Sequence, residues 1–217
     1  MFFEYSRLIG EIQPKTFIGE NVSGLIKGTA KGYFKEILLD LKSKGYRVAA
    51  RLLNAQWLGV PKARQRLIFV GVRNDLGIEP AFPKPKKYWY SIQEAWHGAS
   101  NKLESETNIK KYSTYKLWHE TKLGKSHHKR FNLKRPNLNR PSLTMMATQT
   151  PSAAQVMHPL EPRLLSVAEV KRISSFPDDY ILTGSFTQKK ERMGRSVPPL
   201  MMKAVAETVR DEILRAQ

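Results

Sequence analysis

The chain has 217 residues, 41% of them hydrophobic. That is enough for one medium domain with a packed core, or a medium domain with a small appendage, and it argues against wholesale disorder. Lys and Arg total 37 against 19 Asp and Glu, a net charge of +18; such an excess draws polyanions, nucleic acid being the commonest, with a solubilising surface or anionic membrane contact as alternatives. Zero cysteines exclude disulfides, thiolate metal sites and a cysteine nucleophile from these residues.

In chain order, the spacing predicts an amphipathic helix over Phe2 to Ile12, with Leu8, Ile9 and Ile12 on one stripe. "QPK" ends it, because a proline disfavours helix in the residue before it. "TFIGE" reads as a short strand that stops on a carboxylate and an amide, Glu20-Asn21. After the Gly- and Ser-containing "NVSGLIKGTAKG" comes a helix, "YFKEILLDLKSKGY", with Phe34, Ile37, Leu38 and Leu41 at helical spacing and Gly45 where a C-cap glycine belongs. "RVAARLLNA" and "RLIFVGVR" read as two strands joined by "QWLGVPKARQ", so the chain up to Arg73 is part of an α/β sheet.

The texture changes at Asn74. "NDLGIEPAFPKPKKYWY" carries three prolines, and "SIQEAW" is at most a short helix. From His97 to Arg140 the chain holds 11 Lys/Arg against 3 Glu, four of the five histidines (His97, His119, His127, His128), and interleaved Tyr112, Tyr115, Trp118 and Phe131. Cations hold phosphate without reading sequence, and aromatics stack on bases, so a nucleic-acid surface and a floppy charged insertion are both open on local grounds. Order is expected to return at "RPSLTMMATQ". In "LLSVAEVKRISSFPDDY", Ser166 and Glu169 make an S-x-x-E capping box. "SVPPLMMKAVAETVRDEILRA" opens with prolines suited to a first turn and places Met201, Val205, Val209 and Ile213 on one helix face. No internal repeat is found, and no run of about 18 apolar residues that would span a membrane. "MFFEYSRLIG" has no basic leader and carries Glu4, so a secretory signal is not expected, and a cytoplasmic, nucleoid-associated location is.

Five stretches in order, "GENVSGL", "GVPKARQRLIFVGVR", "RPSLTMMAT", "RLLSVAEVKRISSFPDDY" and "MGRSVPPLMMKAVAE", resemble the C-terminal half of bacterial and phage DNA (cytosine-5)-methyltransferases of restriction-modification type. The resemblance covers nearly the whole chain except the basic middle. It implies an α/β fold: the C-terminal part of a Rossmann-like S-adenosylmethionine-dependent methyltransferase sheet, plus a small basic target-recognition domain. The implied division is 1–73 for the catalytic α/β part, 74–139 for target recognition, and 140–217 for the return to the catalytic domain with the C-terminal helix.

The resemblance also assigns roles. Glu20 would engage N3 of a cytosine flipped out of double-stranded DNA, at the carboxyl end of a strand where open α/β sheets place ligands. A proton or strong hydrogen bond at N3 stabilises the electron density pushed into the ring when a thiolate attacks C6. Asn21 would orient the loop or the neighbouring carboxyl. "KARQR" is similar to the family's Q-x-R-x-R pattern with Lys62 in the glutamine position, so Arg64 and Arg66, two apart and expected on one side of a strand, would hold the base and neighbouring phosphate. "GRSVPP" stands where the last family motif has Asn in place of Arg195, and Ser196 and Val197 would line an S-adenosylmethionine site. Arg140, Thr144, Lys129 and Arg130 are the remaining candidates for DNA contact.

The family's F-x-G-x-G cofactor loop and Pro-Cys nucleophile are not in these residues. The chain is therefore expected to be inactive alone: a subunit of a split enzyme completed by a separate N-terminal methyltransferase subunit, a truncated frame, or a partial sequence. "TFIGE" would then present an unpaired edge. The competing reading is a non-catalytic DNA- or RNA-binding remnant or regulatory module.

Overall fold

The computed structural model describes residues 2–99, 103–130, 132–145, 152 and 156–216. The chain clusters into two compact units: a sheet unit made of Met1–Asn54, Gln65–Pro85 and Met202–Gln217, and a second unit made of Ala55–Arg64 and Lys86–Met201. Their boundaries differ from 73 and 139, because ten residues between two paired strands belong to the second unit and the C-terminal helix is cut between Met201 and Met202.

In the sheet unit, α1 (Phe2–Ile12) precedes β1 (Thr16–Asn21). The inward face of α1 is not the expected stripe. Ile9 is buried, Phe2 and Tyr5 pack against the same core, and Leu8 and Ile12 are exposed, Ile12 by 71%. The reason is Tyr5, one turn before Ile9, whose hydroxyl donates to the Ile18 carbonyl at 3.0 Å and fixes the rotation of the helix over β1. A single 3-10 turn, Ser23–Ile26, leads to α2 (Ala30–Ser43), which starts three residues before the predicted helix and buries Ile37 and Leu41. Gly45 follows with φ +92°, the left-handed conformation expected there.

Strands β2 (Tyr46–Asn54) and β3 (Gln65–Arg73) complete a three-stranded sheet in the order β1-β3-β2. Both pairings of this sheet are antiparallel. The central β3 is buried from Leu67 to Val72, as its continuous apolar run dictates when both faces are covered. β1 lies at the edge. Gly71 sits opposite Phe17 in the register, and a Cβ there would fall 2.0 Å from the Phe17 ring, so only glycine fits. Phe17, Tyr46, Leu41, Leu67 and Phe69 form the centre of this core.

The second unit is built from short helices and long loops: α3 (Ile92–Trp96), α4 (Ser113–Glu120), α5 (Val167–Ile173), α6 (Phe186–Arg195) and the start of α7 (Pro199–Val209). Pro199 opens α7 as anticipated, and Met201, Val205, Val209 and Ile213 are all buried. The Ser166/Glu169 capping box is present. Two more, Ser91/Glu94 on α3 and Ser185/Gln188 on α6, carry the same S-x-x-E/Q signature and cap helices that the apolar pattern left faint. The described part of the basic middle packs into a core. Ile109, Trp118, Leu133, Met157, Leu164 and Phe186 form one core, and the Arg135 guanidinium lies 3.8 Å from the Trp118 ring centre while donating to the Thr121 and Pro159 carbonyls. Phe131 and residues 146–149 of the expected ordered stretch lie outside the described residues. No helix among the described residues is long and apolar enough to cross a membrane.

Candidate active site

Glu20 lies in the last turn of β1's pleat, opposite Ile68, and Asn21 opposite Leu67. Arg66, at the start of β3, brings its Nε to 2.6 Å from Glu20 Oε1, with side chains 14% and 32% exposed. Register explains the meeting: adjacent strands place residues near the same end of the ladder on one face, where opposite charges attract. Partial burial makes this pair stronger than a solvated surface bridge, and it leaves the Glu20 side chain about a third exposed. Asn21 turns its Oδ1 back to accept the Val22 N–H at 2.8 Å, so it shapes the exit from β1 into the 3-10 turn and does not reach for Glu20.

Arg64 does not share a strand face with Arg66. It precedes β3, is 2% exposed, and its Nη2 donates to the Arg195 carbonyl at 3.0 Å. The period-two expectation failed because the strand begins only at Gln65. Lys62 is fully buried as well, and its ammonium donates to the Ser174 hydroxyl at 3.2 Å, at the C-terminal end of α5. The loop holding these residues is zipped to 141–144: Ala63 N–H donates to the Ser142 carbonyl at 2.8 Å, Ser142 N–H to Pro61 at 2.9 Å, and the Thr144 hydroxyl to Ala63. The glutamine-to-lysine departure in "KARQR" is thus a buried anchor.

The other candidates scatter. Ser196 ends α6, its hydroxyl donating to the Met193 carbonyl at 3.0 Å, and Val197 beside it is half-buried. Arg140 is exposed, 5.9 Å from the Trp89 ring centre. Lys129 and Arg130 are exposed, and both backbone N–H groups donate to Nδ1 of buried His127, whose Nε2 faces Glu120 at 3.0 Å. With Nδ1 accepting, Nε2 carries the proton and donates to the carboxylate, and that bond holds Glu120 below the ordinary carboxylate range.

A further polar cluster escaped the sequence reading. Arg163 pairs with Glu169 at 2.7 Å and Glu161 at 2.9 Å, and Trp96 stacks on His158 with centroids 5.2 Å apart and planes at 5°. Burial, then the charge of Arg163, lowers His158 from 6.5 to about 4. Burial opposes the ionised forms of both Arg163 and Glu169, and their mutual hydrogen bonds outweigh it, raising the one and lowering the other. Lys190, buried with its ammonium on the Leu165 carbonyl at 3.1 Å, is lowered by burial from 10.5 to about 7. Only Glu169 carried a sequence signal, and the capping box accounted for it.

The sequence matches the C-5 cytosine-specific DNA methylase family over residues 1–211, and the chain belongs to that family. It is 29% identical over 236 residues to the Type II methyltransferase M.PspPI of Psychrobacter sp. (strain TA137), and 31% identical over 243 residues to M.Eco47II of Escherichia coli, in both cases covering 96% of this chain and 57% of the relative. The chain therefore spans little more than half the length of these relatives. Its fold is similar to that of a putative DNA modification methyltransferase encoded within an E. coli prophage, with a TM-score of 0.80 at 17% identity over 97% of this chain and 73% of the other. It is also similar to a Spodoptera frugiperda DNMT2 mutant, with a TM-score of 0.67 at 15% identity over 94% and 69%.

Proposed function

We propose that this chain is the C-terminal, base-binding and DNA-recognition portion of a DNA (cytosine-5)-methyltransferase. The observation that carries the reading is the Glu20–Arg66 pair at the end of β1 in a chain of this family that holds no cysteine. Glu20 offers its carboxyl to N3 of a flipped cytosine in double-stranded DNA, and Arg66 fixes the carboxyl's orientation and adds positive charge where the ring gains electron density. Asn21 holds the loop that follows. Arg64 acts as a positioning residue, tying its loop to the carbonyl of Arg195 and so setting the backbone of Ser196 and Val197.

The thiolate that attacks C6 comes from outside these 217 residues, since there is no cysteine to supply it. S-adenosylmethionine supplies the methyl group when bound. Of this chain's residues, Ser196 and Val197 fit only the rim of such a site, because the Ser196 hydroxyl already donates to Met193. An N-terminal methyltransferase portion, whether on the same polypeptide or on a separate subunit, is the complement this reading uses, and the edge strand β1 is consistent with it because it offers backbone groups for pairing. Arg140, Thr144, Lys129 and Arg130 serve DNA contact, Thr144 through its backbone because its hydroxyl is committed to Ala63. The compartment consistent with this role is the cytoplasm, at the nucleoid.

The test is methyl incorporation from labelled S-adenosylmethionine into duplex DNA. The pure chain should incorporate none. Addition of the N-terminal portion of a relative such as M.Eco47II, carrying its own cysteine, should restore incorporation, and Glu20→Gln should then lower it about a hundredfold or more, the scale of a lost proton-transfer group. Sustained incorporation by the chain alone would sink the proposal. Salt-sensitive duplex binding with no restoration, and no effect of Glu20→Gln, would assign the chain instead to a non-catalytic DNA-binding module.

A further inference from the structure

Large aromatic side chains are usually turned inward, yet in the segment "KKYWY" Tyr88 is 52% and Trp89 38% exposed. They are held there. The Lys86 N–H donates to the Trp57 carbonyl at 2.8 Å, which brings Trp89 edge-to-face against Trp57 with centroids 5.5 Å apart and planes at 77°. The Ile92 N–H donates to the Arg140 carbonyl at 3.0 Å, which sets the Arg140 guanidinium 5.9 Å from the Trp89 ring centre. The Lys86 ammonium sits 5.6 Å from the Tyr88 ring centre and 5.9 Å from that of Tyr90. Trp57 and Trp89 border an open groove of about 510 Å³ whose lining also includes Lys125, Asn137 and Arg140 and no carboxylate. All of these residues belong to the second unit.

Exposed rings interleaved with cations, fixed by backbone hydrogen bonds before any ligand arrives, are the chemistry of a stacking platform. A paired duplex keeps its base faces inside the stack and gives such rings nothing to meet, whereas an unpaired nucleotide brings a π-face and a phosphate together. The volume is within the range of small-ligand clefts, and the two charged residues of its lining, Lys125 and Arg140, are both cationic and favour an anion. We propose that this groove binds an unpaired nucleotide of a polynucleotide strand, its base stacking on Trp89 against Trp57 and its phosphate meeting Lys125 and Arg140, with Asn137 in reach of a base edge. The site uses none of Glu20, Asn21 or Arg66, so this goes beyond methyl transfer to the target base.

Binding is measured on the full chain by tryptophan quenching and anisotropy, with oligo(dT) and oligo(U) of about 12 nucleotides, a length within known single-strand site sizes, and with a duplex of equal length. Trp89→Ala should weaken oligonucleotide binding about tenfold and leave the duplex within about twofold, as expected for one lost base stack. Trp89→Phe, which keeps a ring, should stay within about threefold of the unaltered chain. The stronger of the two oligonucleotides names the source, a DNA or an RNA strand. Trp89→Ala binding both oligonucleotides as tightly as the unaltered chain overturns the proposal, and so does an equal loss of oligonucleotide and duplex binding. Methyl incorporation is read in a separate assay, so failure here leaves the assignment of Glu20 and Arg66 standing.

Discussion

The two units each have an apolar core but differ in where they hold their charges. The sheet unit is held by apolar packing on a central strand whose run from Leu67 to Val72 is wholly buried, and its polar pair, Glu20–Arg66, sits at the strand ends. In the second unit charged groups are buried within the structure itself: Lys62 on Ser174, Arg163 on Glu169, Lys190 on the Leu165 carbonyl. Apolar burial is non-directional and tolerant, whereas a buried charge is stable only while its particular partner is present. The first unit should therefore respond to changes of volume, and the second to changes of charge and pH.

The largest effect expected is at Phe69, fully buried between Phe2 and Phe34. Phe69→Ala should cost about 3–5 kcal/mol through lost transfer free energy and the cavity left behind. Urea unfolding followed by far-UV circular dichroism checks it. All four tryptophans (Trp57, Trp89, Trp96, Trp118) lie in the second unit, so tryptophan fluorescence follows that unit separately. A loss under 1 kcal/mol would mean that packing is not what holds the sheet.

The counterpart in the second unit is Glu169→Gln. Glutamine keeps the capping-box side chain and nearly the same volume, so the substitution removes the charge facing Arg163 and little else. Breaking a buried pair from one side should cost about 3 kcal/mol, read by the fluorescence transition. If Glu169→Gln proves as harmless as a surface change, the contrast between the units collapses.

Gly71→Ala sharpens the comparison within the sheet. One methyl group, placed 2.0 Å from the Phe17 ring, forces that ring out of its contact with Tyr46. Overpacking should cost about 2 kcal/mol, measured by the same urea titration. Phe17→Leu combined with Gly71→Ala should recover part of it, and a double variant no better than Gly71→Ala alone would contradict the steric account.

How much of this was legible followed from the same difference. The three strands, α2 with its Gly45 stop, and the Met201/Val205/Val209/Ile213 face were readable because apolar burial repeats with the period of the element. The rotation of α1 was not, because it depends on one hydroxyl, Tyr5 on Ile18, that leaves no periodic trace. Glu20 and Arg66 were each singled out through the family's motif order, but their ion pair was not anticipated. Arg64 was misplaced because the alternation was carried back past the start of β3 into the loop before it. Apart from Glu169, whose capping box is readable, the second unit's buried charges have no sequence signature: a lysine at position 62 or 190 looks like any solvated lysine until the fold closes over it.

The smallest effect at neutral pH, and the most specific, concerns His158. Its ring faces Arg163, Glu161 and Glu169, stacks on Trp96, and accepts the Glu161 N–H at 2.9 Å and the Leu160 N–H at 3.3 Å on Nδ1, an arrangement that suits the neutral ring. Folding lowers it from 6.5 to about 4, so between those values the unfolded chain holds a proton that the folded chain lacks. Unfolding free energy therefore rises with pH through that window and is unaffected by this group above it. His158→Asn keeps an acceptor for the two N–H groups and removes the titration. Over about pH 5 to 6.5, where most carboxylates are already ionised, the variant's fluorescence-monitored stability should rise less steeply than that of the unaltered chain. Two parallel stability profiles would show that folding leaves the ring's proton affinity unchanged, with Glu161 and Glu169 offsetting burial and Arg163 in its surroundings.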